Sequence, residues 1–320
     1  MKIWGLHDYT GCGYYRIGLP LAALAAHGHT VGLSREWVDK ALEYPIIIGQ
    51  RVGIGMRTPW RRLRADHRLV YEIDDDFWNL DPAATRIRAD LTPAKLDAME
   101  QAIEVSHLVV TTTEHLAEQL RQRHGNVAVL PNWIDERLTA LDRPRRDKVT
   151  VGWAGGDTHL RDMRMLAPHL KRFLIRNPHV EFHSIGTDFT KPLRVPARVT
   201  GWCPDVWDYY RSIDFDIGLA PLAPTVFARA KSAVKALEYA ALGIPVIASD
   251  VGPYREFVLD GVTGYLVRRD HEWERRLRDL ANDDAMRIEM GAKAREHARD
   301  WTIQANWRHW EQAMRTLEGD

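Results

Sequence analysis

Cysteine is nearly absent: the 320 residues hold two, Cys12 and Cys203, far apart and without metal-ligand spacing. That excludes a disulfide framework and fits a reducing compartment. Net charge is absent as well, because Lys+Arg and Asp+Glu both total 44. No overall field therefore draws the molecule toward nucleic acid or anionic lipid, and any such attraction has to come from a local patch. Long apolar runs are missing too. Nothing approaches the ~18–20 apolar residues needed to cross a bilayer. The one signal-like stretch, Ile17 to Ala26, lies too far into the chain and lacks a cleavage pattern. A soluble, cytoplasmic protein is expected. What is present is ordinary globular chemistry, with 45% apolar and 28% charged residues. Twelve tryptophans are available for stacking on sugars or bases, although core packing explains most of them equally well.

Short β-branched runs alternate with longer helical patterns, which implies βαβ units and parallel sheets. Strands are predicted at Lys2–Leu6, Thr30–Leu33, Leu69–Ile73, Leu108–Thr111 and Val127–Leu130, with a short apolar run at Pro45–Ile48. A polar, basic stretch from Leu141 to Lys148, containing Asp-Arg-Pro-Arg-Arg-Asp, is the best linker candidate. The rhythm then restarts with strands at Val149–Trp153, His179–Ile185, Val199–Trp202, Ile217–Ala220 and Pro245–Ala248, and the chain from Glu272 onward is almost wholly helical. The expected architecture is α/β, with two doubly wound domains, 1–145 and 146–320, facing a central cleft.

Arg229-Ala-Lys-Ser-Ala-Val-Lys-Ala-Leu-Glu238 reads as a helix with cations at its start. A helix N-terminus offers free N–H groups and the positive end of a dipole, which suits a phosphate. Arg229 and Lys231 would add charge-assisted bonds, and Glu238 could accept from ribose hydroxyls. The plainer reading is a surface Lys235–Glu238 ion pair with Arg229 solvated. Gly155-Gly156 follows a strand and precedes a helix, so the backbone there can approach a diphosphate, with Thr158, His159 and Arg161 as donors. A capped turn at a helix start would look the same. Gly11-Cys-Gly-Tyr-Tyr-Arg16 is a defective Gly-x-Gly-x-x-Gly. Its third glycine is Arg16, and Ser34-Arg35 stands where a ribose-binding acid would end the second strand, which argues against a dinucleotide-dependent oxidoreductase. Glu72-Ile-Asp-Asp-Asp76 ends another strand, where open α/β sheets bind ligands. Alternation of side chains along an extended chain argues against its three aspartates converging on a metal.

The segment Arg229–Ser249, with Glu238 and Leu-Gly-Ile-Pro-Val-Ile, resembles the signature of retaining glycosyltransferases of the family-4 type. Ala230 stands where that family has the first Glu of Glu-x7-Glu. Asp214–Leu222, Val251–Glu256, Leu259–Gly264 and Trp301-Thr-Ile-Gln follow in family order, and short bacterial and phage-encoded members are similar. The resemblance implies the GT-B fold, two Rossmann-like domains, with the last helix (about 301–318) packing back on the first. It implies a nucleotide-sugar donor, a UDP-sugar or another, with no metal or cofactor required to hold the nucleotide. The implied donor-binding residues are Gly13, Gly155, Gly156, His159, Arg161, Trp202, Ser232 and Glu238. Arg229, Lys231 and Asp75 would carry the transfer, and Tyr14, Tyr15, Arg16, Asp74 and Asp76 would meet the acceptor. Asn132-Trp-Ile-Asp135 is taken as a hinge turn, and His107 and His115 as packed or surface residues.

The acceptor that the resemblance implies is a hydroxyl on a glycan, a lipid-linked sugar or a modified DNA base such as hydroxymethylcytosine. Arginines 51, 57, 61, 62, 64 and 68 form a basic patch whose partner class would be nucleic acid or an anionic surface, unless it is simply a solvated helix face. Two other readings compete with transfer. One is a non-catalytic sugar-nucleotide or glycan-binding relative, which Ala230 favours; the other is a nucleotide-sugar epimerase of the same fold.

Overall fold

The structure is a computed structural model and describes residues 1–7, 10–54, 58–82, 85–144, 146–190 and 194–318. Two six-stranded sheets organise it. The first comprises β1 (Lys2–Leu6), β2 (Thr30–Ser34), β3 (Ile46–Gln50), β4 (Arg68–Glu72), β5 (Leu108–Thr111) and β6 (Val127–Val129). Its spatial order is β2-β1-β3-β4-β5-β6, and every pairing is parallel, with Ile3 opposite Ile46 and Ile48 opposite Val70. The second comprises β7 (Val149–Gly155), β8 (Val180–Gly186), β9 (Arg198–Thr200), β10 (Ile217–Ala220), β11 (Val246–Ser249) and β12 (Gly264–Val267). It is also all parallel, in the order β12-β11-β10-β7-β8-β9.

Strands covered on both faces need apolar residues at every position rather than at alternate ones. Ile46-Ile-Ile-Gly-Gln in β3 and Val246-Ile-Ala-Ser in β11 are buried throughout, as that requires. Helices cover them with one apolar stripe each. Leu160–Arg176 buries Met163, Leu166, Ala167, Leu170, Phe173 and Leu174, the three-and-four spacing of a single helix face. The two sheets reverse their strand order at different places: between β1 and β3 in the first, and between β7 and β10 in the second. Those reversals are where open α/β sheets leave a crevice beyond the carboxyl ends of their strands. The fold therefore supplies two crevices, and each holds sequence-predicted residues: the loops after β1 and β4 at one, the loop after β7 at the other.

The predicted strands fall within a few residues of the observed ones, but other elements differ. The apolar stretch Ile17 to Ala26 is helical, and the helical turns begin before it: Thr10–Gly13 leads through a π-helical turn, Tyr14–Gly18, into Leu19–Ala26. Such turns insert one residue and re-aim side chains, often beside a functional site. The arginine-rich stretch read as a possible helix face forms one helical turn, Trp60–Leu63, among its described residues. The stretch taken as a linker is tied down: Arg143 donates to the Phe215 carbonyl and Arg146 to Asp214, just before the central strand β10 of the second sheet. Its Arg145 lies outside the described residues. After residue 300 the chain returns to the first sheet. Ile134 and Thr302 pair as an isolated bridge, and Ile303–Arg315 lies on Leu19–Ala26, with Trp307 stacked on His27 at 3.7 Å between ring centres and Trp310 buried.

Candidate active site

A cleft of about 250 Å³ lies between the carboxyl ends of the two sheets. From the first sheet it receives Gly11 and Cys12 after β1, Tyr15 in the π-helical turn, Asp74 and Asp75 after β4, and Asn132 after β6. From the second it receives Gly155, Gly156 and His159 after β7, Trp202 and Cys203 after β9, and Lys231, Ser232, Lys235 and Glu238 around the start of the helix Val234–Ala241.

The β7 end is built for close approach. A side chain at Gly155 would run into the Trp153 ring and come within 2.9 Å of Lys235 Nζ, so glycine there keeps both in place. Gly186, at the end of β8, has φ +92°, and a side chain on it would strike the Gly155 carbonyl at 2.4 Å. Lys235 is buried, donates to the Ala154 carbonyl and lies 5.1 Å from the centre of the Trp153 ring. Burial pushes its ammonium down to about 8. A cation held this way, short of oxygen partners and against an aromatic face, is poised to accept an anion from the cleft.

Glu238 is also buried, and both its oxygens accept from tyrosines: Oε1 from the Tyr15 hydroxyl and Oε2 from the Tyr209 hydroxyl at 2.8 Å. Burial raises its carboxyl, and these hydroxyls together with Lys235 pull it back. Tyr15 belongs to the first half of the chain and Glu238 to the second, so the contact ties the two together. The Tyr15 hydroxyl also lies 2.6 Å from that of Tyr210.

On the opposite wall the aspartates divide their tasks. Burial would raise the Asp74 carboxyl, but Arg51 outweighs it and holds it low, with bonds of 2.9 and 2.6 Å. Asp75 lies 3.3 Å from Arg51 and 3.4 Å from Lys231, which joins the walls across the cleft. Asn132 makes a second link, donating from Nδ2 to Ser232 Oγ at 2.8 Å.

Ten sequence-predicted residues thus line one cavity: Tyr15, Asp74, Asp75, Gly155, Gly156, His159, Trp202, Lys231, Ser232 and Glu238. Six others stand elsewhere, each for a physical reason. Arg16 is fully buried, bonded to Glu72 at 2.6 Å, to the Leu130 carbonyl at 2.6 Å and to Asn132 Oδ1 at 3.1 Å, so it cannot face an acceptor. Asp76 is buried and accepts from the Asn79 backbone and amide, capping the turn that follows β4. Arg229, on the short helix Val226–Ala230, opens onto a separate depression with Thr113 and Asp250. Arg161 reaches out to Asp81 at 3.1 Å. Gly13 packs against the His7 ring with no room for a side chain, and Tyr14 packs edge-on against Tyr15 at 5.1 Å. The position of the missing carboxylate, Ala230, is buried and its carbonyl accepts from the Thr113 hydroxyl at 3.1 Å.

The expected basic patch does not form one surface. Arg51 is taken by the aspartates, Arg64 donates to the Val105 and Ser106 carbonyls, and Arg68 sits against His107. Arg57 lies outside the described residues, and Arg61 and Arg62 are exposed. Sequence reasoning missed Lys235, Arg51, Asn132 and Tyr209. Lys235 lies three residues before Glu238, hence on the same helix face. Arg51 is the first residue after β3, at the strand-order reversal; that is visible only once the strand order is known.

Residues 148–283 match the family described as glycosyl transferases group 1. The D-inositol 3-phosphate glycosyltransferase of Kribbella flavida is 26% identical over 259 residues, covering 67% of this chain and 58% of that protein. The enzyme of the same name from Corynebacterium glutamicum is 45% identical over 69 residues, 21% of this chain and 16% of its own. The chain thus spans less than two thirds of these relatives' lengths. Among solved structures, sucrose-phosphate synthase from Thermosynechococcus elongatus superposes with a TM-score of 0.67 at 16% identity, covering 99% of both chains. Anabaena HepE in complex with UDP gives 0.67 at 16% identity over 100% of both. Both share this fold of two facing Rossmann-like sheets. Family match and architecture agree with the signature around Glu238: over residues 148–283 the chain is similar to group 1 glycosyl transferases, and its two facing Rossmann-like sheets are the fold of these solved structures.

Proposed function

We propose that the chain transfers a sugar from a nucleotide-sugar donor to a hydroxyl acceptor, with retention at the anomeric carbon. In this reading residues 146–320 form the donor domain and residues 1–145 the acceptor domain. The observation that carries it is the convergence of Lys231, Lys235, Gly155 and Glu238 on one cleft wall, opposite Asp74 and Asp75. The donor diphosphate meets the two lysines and the backbone at Gly155-Gly156, and the ribose lies toward Glu238. Cations preset where negative charge develops on the departing diphosphate need no reorganisation during the reaction. The acceptor hydroxyl approaches beside Asp75 and attacks on the face from which the nucleotide leaves, with the leaving phosphate taking its proton. Ala230 offers no carboxylate to the sugar, so sugar choice falls to groups such as Lys231 and Asp75.

Because HepE was solved with UDP, a UDP-sugar is the first donor to test. Thermal-shift titration with UDP-, GDP-, ADP- and dTDP-sugars is expected to give one nucleotide class that raises the melting temperature. That donor, radiolabelled, should then be transferred or slowly hydrolysed, with the product's anomeric configuration read by NMR. A chain stabilised by none of the four would sink the donor assignment. Inversion would sink the retaining mechanism, and tight binding without turnover would favour a non-catalytic relative.

A further inference from the structure

The β7 crevice pairs His159, an implied donor-binding residue, with Asp162, to which the donor reading gives no part. His159 Nδ1 lies 2.8 Å from Asp162 Oδ2, and the other oxygen of Asp162 accepts from the Ala223 backbone N–H at 2.7 Å, in the loop after β10. Both residues are largely buried, and the helix Leu160–Arg176 fixes their spacing. A carboxylate only accepts, so the His159 proton must sit on Nδ1, which leaves Nε2 as a bare lone pair in the neutral ring. His159 lines the cleft beside Gly155 and Gly156. A lone pair there repels a phosphate oxygen, whereas an imidazolium N–H would bind it with charge assistance.

Building on the donor assignment above, we propose that Asp162 is a positioning residue that fixes the tautomer of His159, so that a diphosphate enters the cleft together with one proton taken up at His159 Nε2. Before binding, the surroundings keep the ring neutral. Burial pushes its pKa down to about 4, with the Lys235 and Lys231 ammonium groups adding to the effect and Asp162 opposing it. The Trp153 ring closes the remaining side edge-on at 5.8 Å. An arriving diphosphate offsets the two lysines and reverses the balance. The sign follows from linkage: the complex holds a proton that the free protein lacks. Affinity therefore rises about tenfold for each unit the pH falls, between the bound-state pKa of His159 and about 4.

The test is calorimetric titration of the full chain with UDP-glucose, or with whichever sugar nucleotide stabilises it best, at pH 6 in buffers of differing ionisation enthalpy. These donors carry a diphosphate diester that does not itself titrate near neutrality. Lys235, at about 8, is already charged at that pH and contributes no uptake. The wild type should take up most of one proton. His159→Gln should take up none and show a flat pH profile. Asp162→Asn should also bind without uptake, at an affinity within about tenfold of wild type. Its amide can donate to Nδ1, which moves the ring proton to Nε2 and supplies a neutral donor to the phosphate. A purely structural Asp162 would change the melting temperature but not the proton count, and that result would overturn the proposal. Uptake persisting in His159→Gln, or none in the wild type, would overturn it as well. A wild type that binds no sugar nucleotide removes the donor assignment and this inference together; binding without uptake removes only this inference.

Discussion

Replacing Lys231 with alanine is expected to lower the rate of sugar transfer about 10²–10³-fold, the usual consequence of deleting one preorganised donor from a site where charge develops. The ammonium stands in the cleft, 3.4 Å from Asp75 across it and 4.4 Å from the centre of the Phe227 ring. In the proposed reading it follows the donor phosphate as the bond to the sugar breaks. The side chain is neither in the core nor the partner of a buried charge, so the melting temperature should stay within a few degrees of wild type. The fall should appear in kcat rather than in KM alone, because the interaction strengthens as the nucleotide leaves. Asp75 loses a cation in this variant but keeps Arg51 at 3.3 Å, so the acceptor wall stays ordered. Steady-state kinetics with the best donor from the panel decide the matter. Full activity in Lys231→Ala would mean that the diphosphate lies elsewhere.

The fold was largely legible in the sequence, because a buried parallel strand is apolar at nearly every position, and β3, β5, β7 and β11 carry a single polar residue each: Gln50, Thr111, Thr150 and Ser249. Half of the cleft wall proposed for the donor was legible for a different reason. Gly155-Gly156, Lys231 and Glu238 sit at fixed places relative to a strand end or a helix start, so local pattern locates them. What stayed hidden depends on packing between distant segments. Arg16 and Tyr15 are adjacent in the π-helical turn, yet one turns into the first core and the other crosses to Glu238. No periodicity separates two such neighbours. Asp74, Asp75 and Asp76 are also consecutive, and their alternation left open which would face the cleft. Arg51 settles it, since the residue that neutralises Asp74 comes from the end of the neighbouring strand, β3. The run of arginines failed as a patch for the same reason. Composition counts charges, but the fold pairs Arg51 with two carboxylates and Arg64 with two carbonyls.

Arg16 gives the other large expected effect, on stability rather than on acceptor binding. Its guanidinium and the Glu72 carboxylate are both fully buried and 2.6 Å apart. Burial pushes the Glu72 carboxyl up to about 7, with Arg16 opposing the shift. Arg16→Met removes the opposing charge, so Glu72 either protonates at neutral pH or remains as an uncompensated buried anion. The Leu130 carbonyl and Asn132 Oδ1 lose a donor at the same time. Breaking one side of a buried pair costs about 3–5 kcal/mol, a large part of the 5–15 kcal/mol typical of a folded domain. Arg16→Met should therefore lower the denaturation midpoint sharply. The double variant Arg16→Met with Glu72→Leu should recover much of the loss, because apolar replacement of both partners leaves no buried charge. Any effect on catalysis should pass through Asn132, which Arg16 holds on one side while it donates to Ser232 on the other. In that case Asn132→Ala reproduces the kinetic change without the large stability loss. If Arg16→Met instead keeps wild-type stability and raises only the KM for the acceptor, the side chain faces the cleft and the acceptor role drawn from the sequence is the correct one.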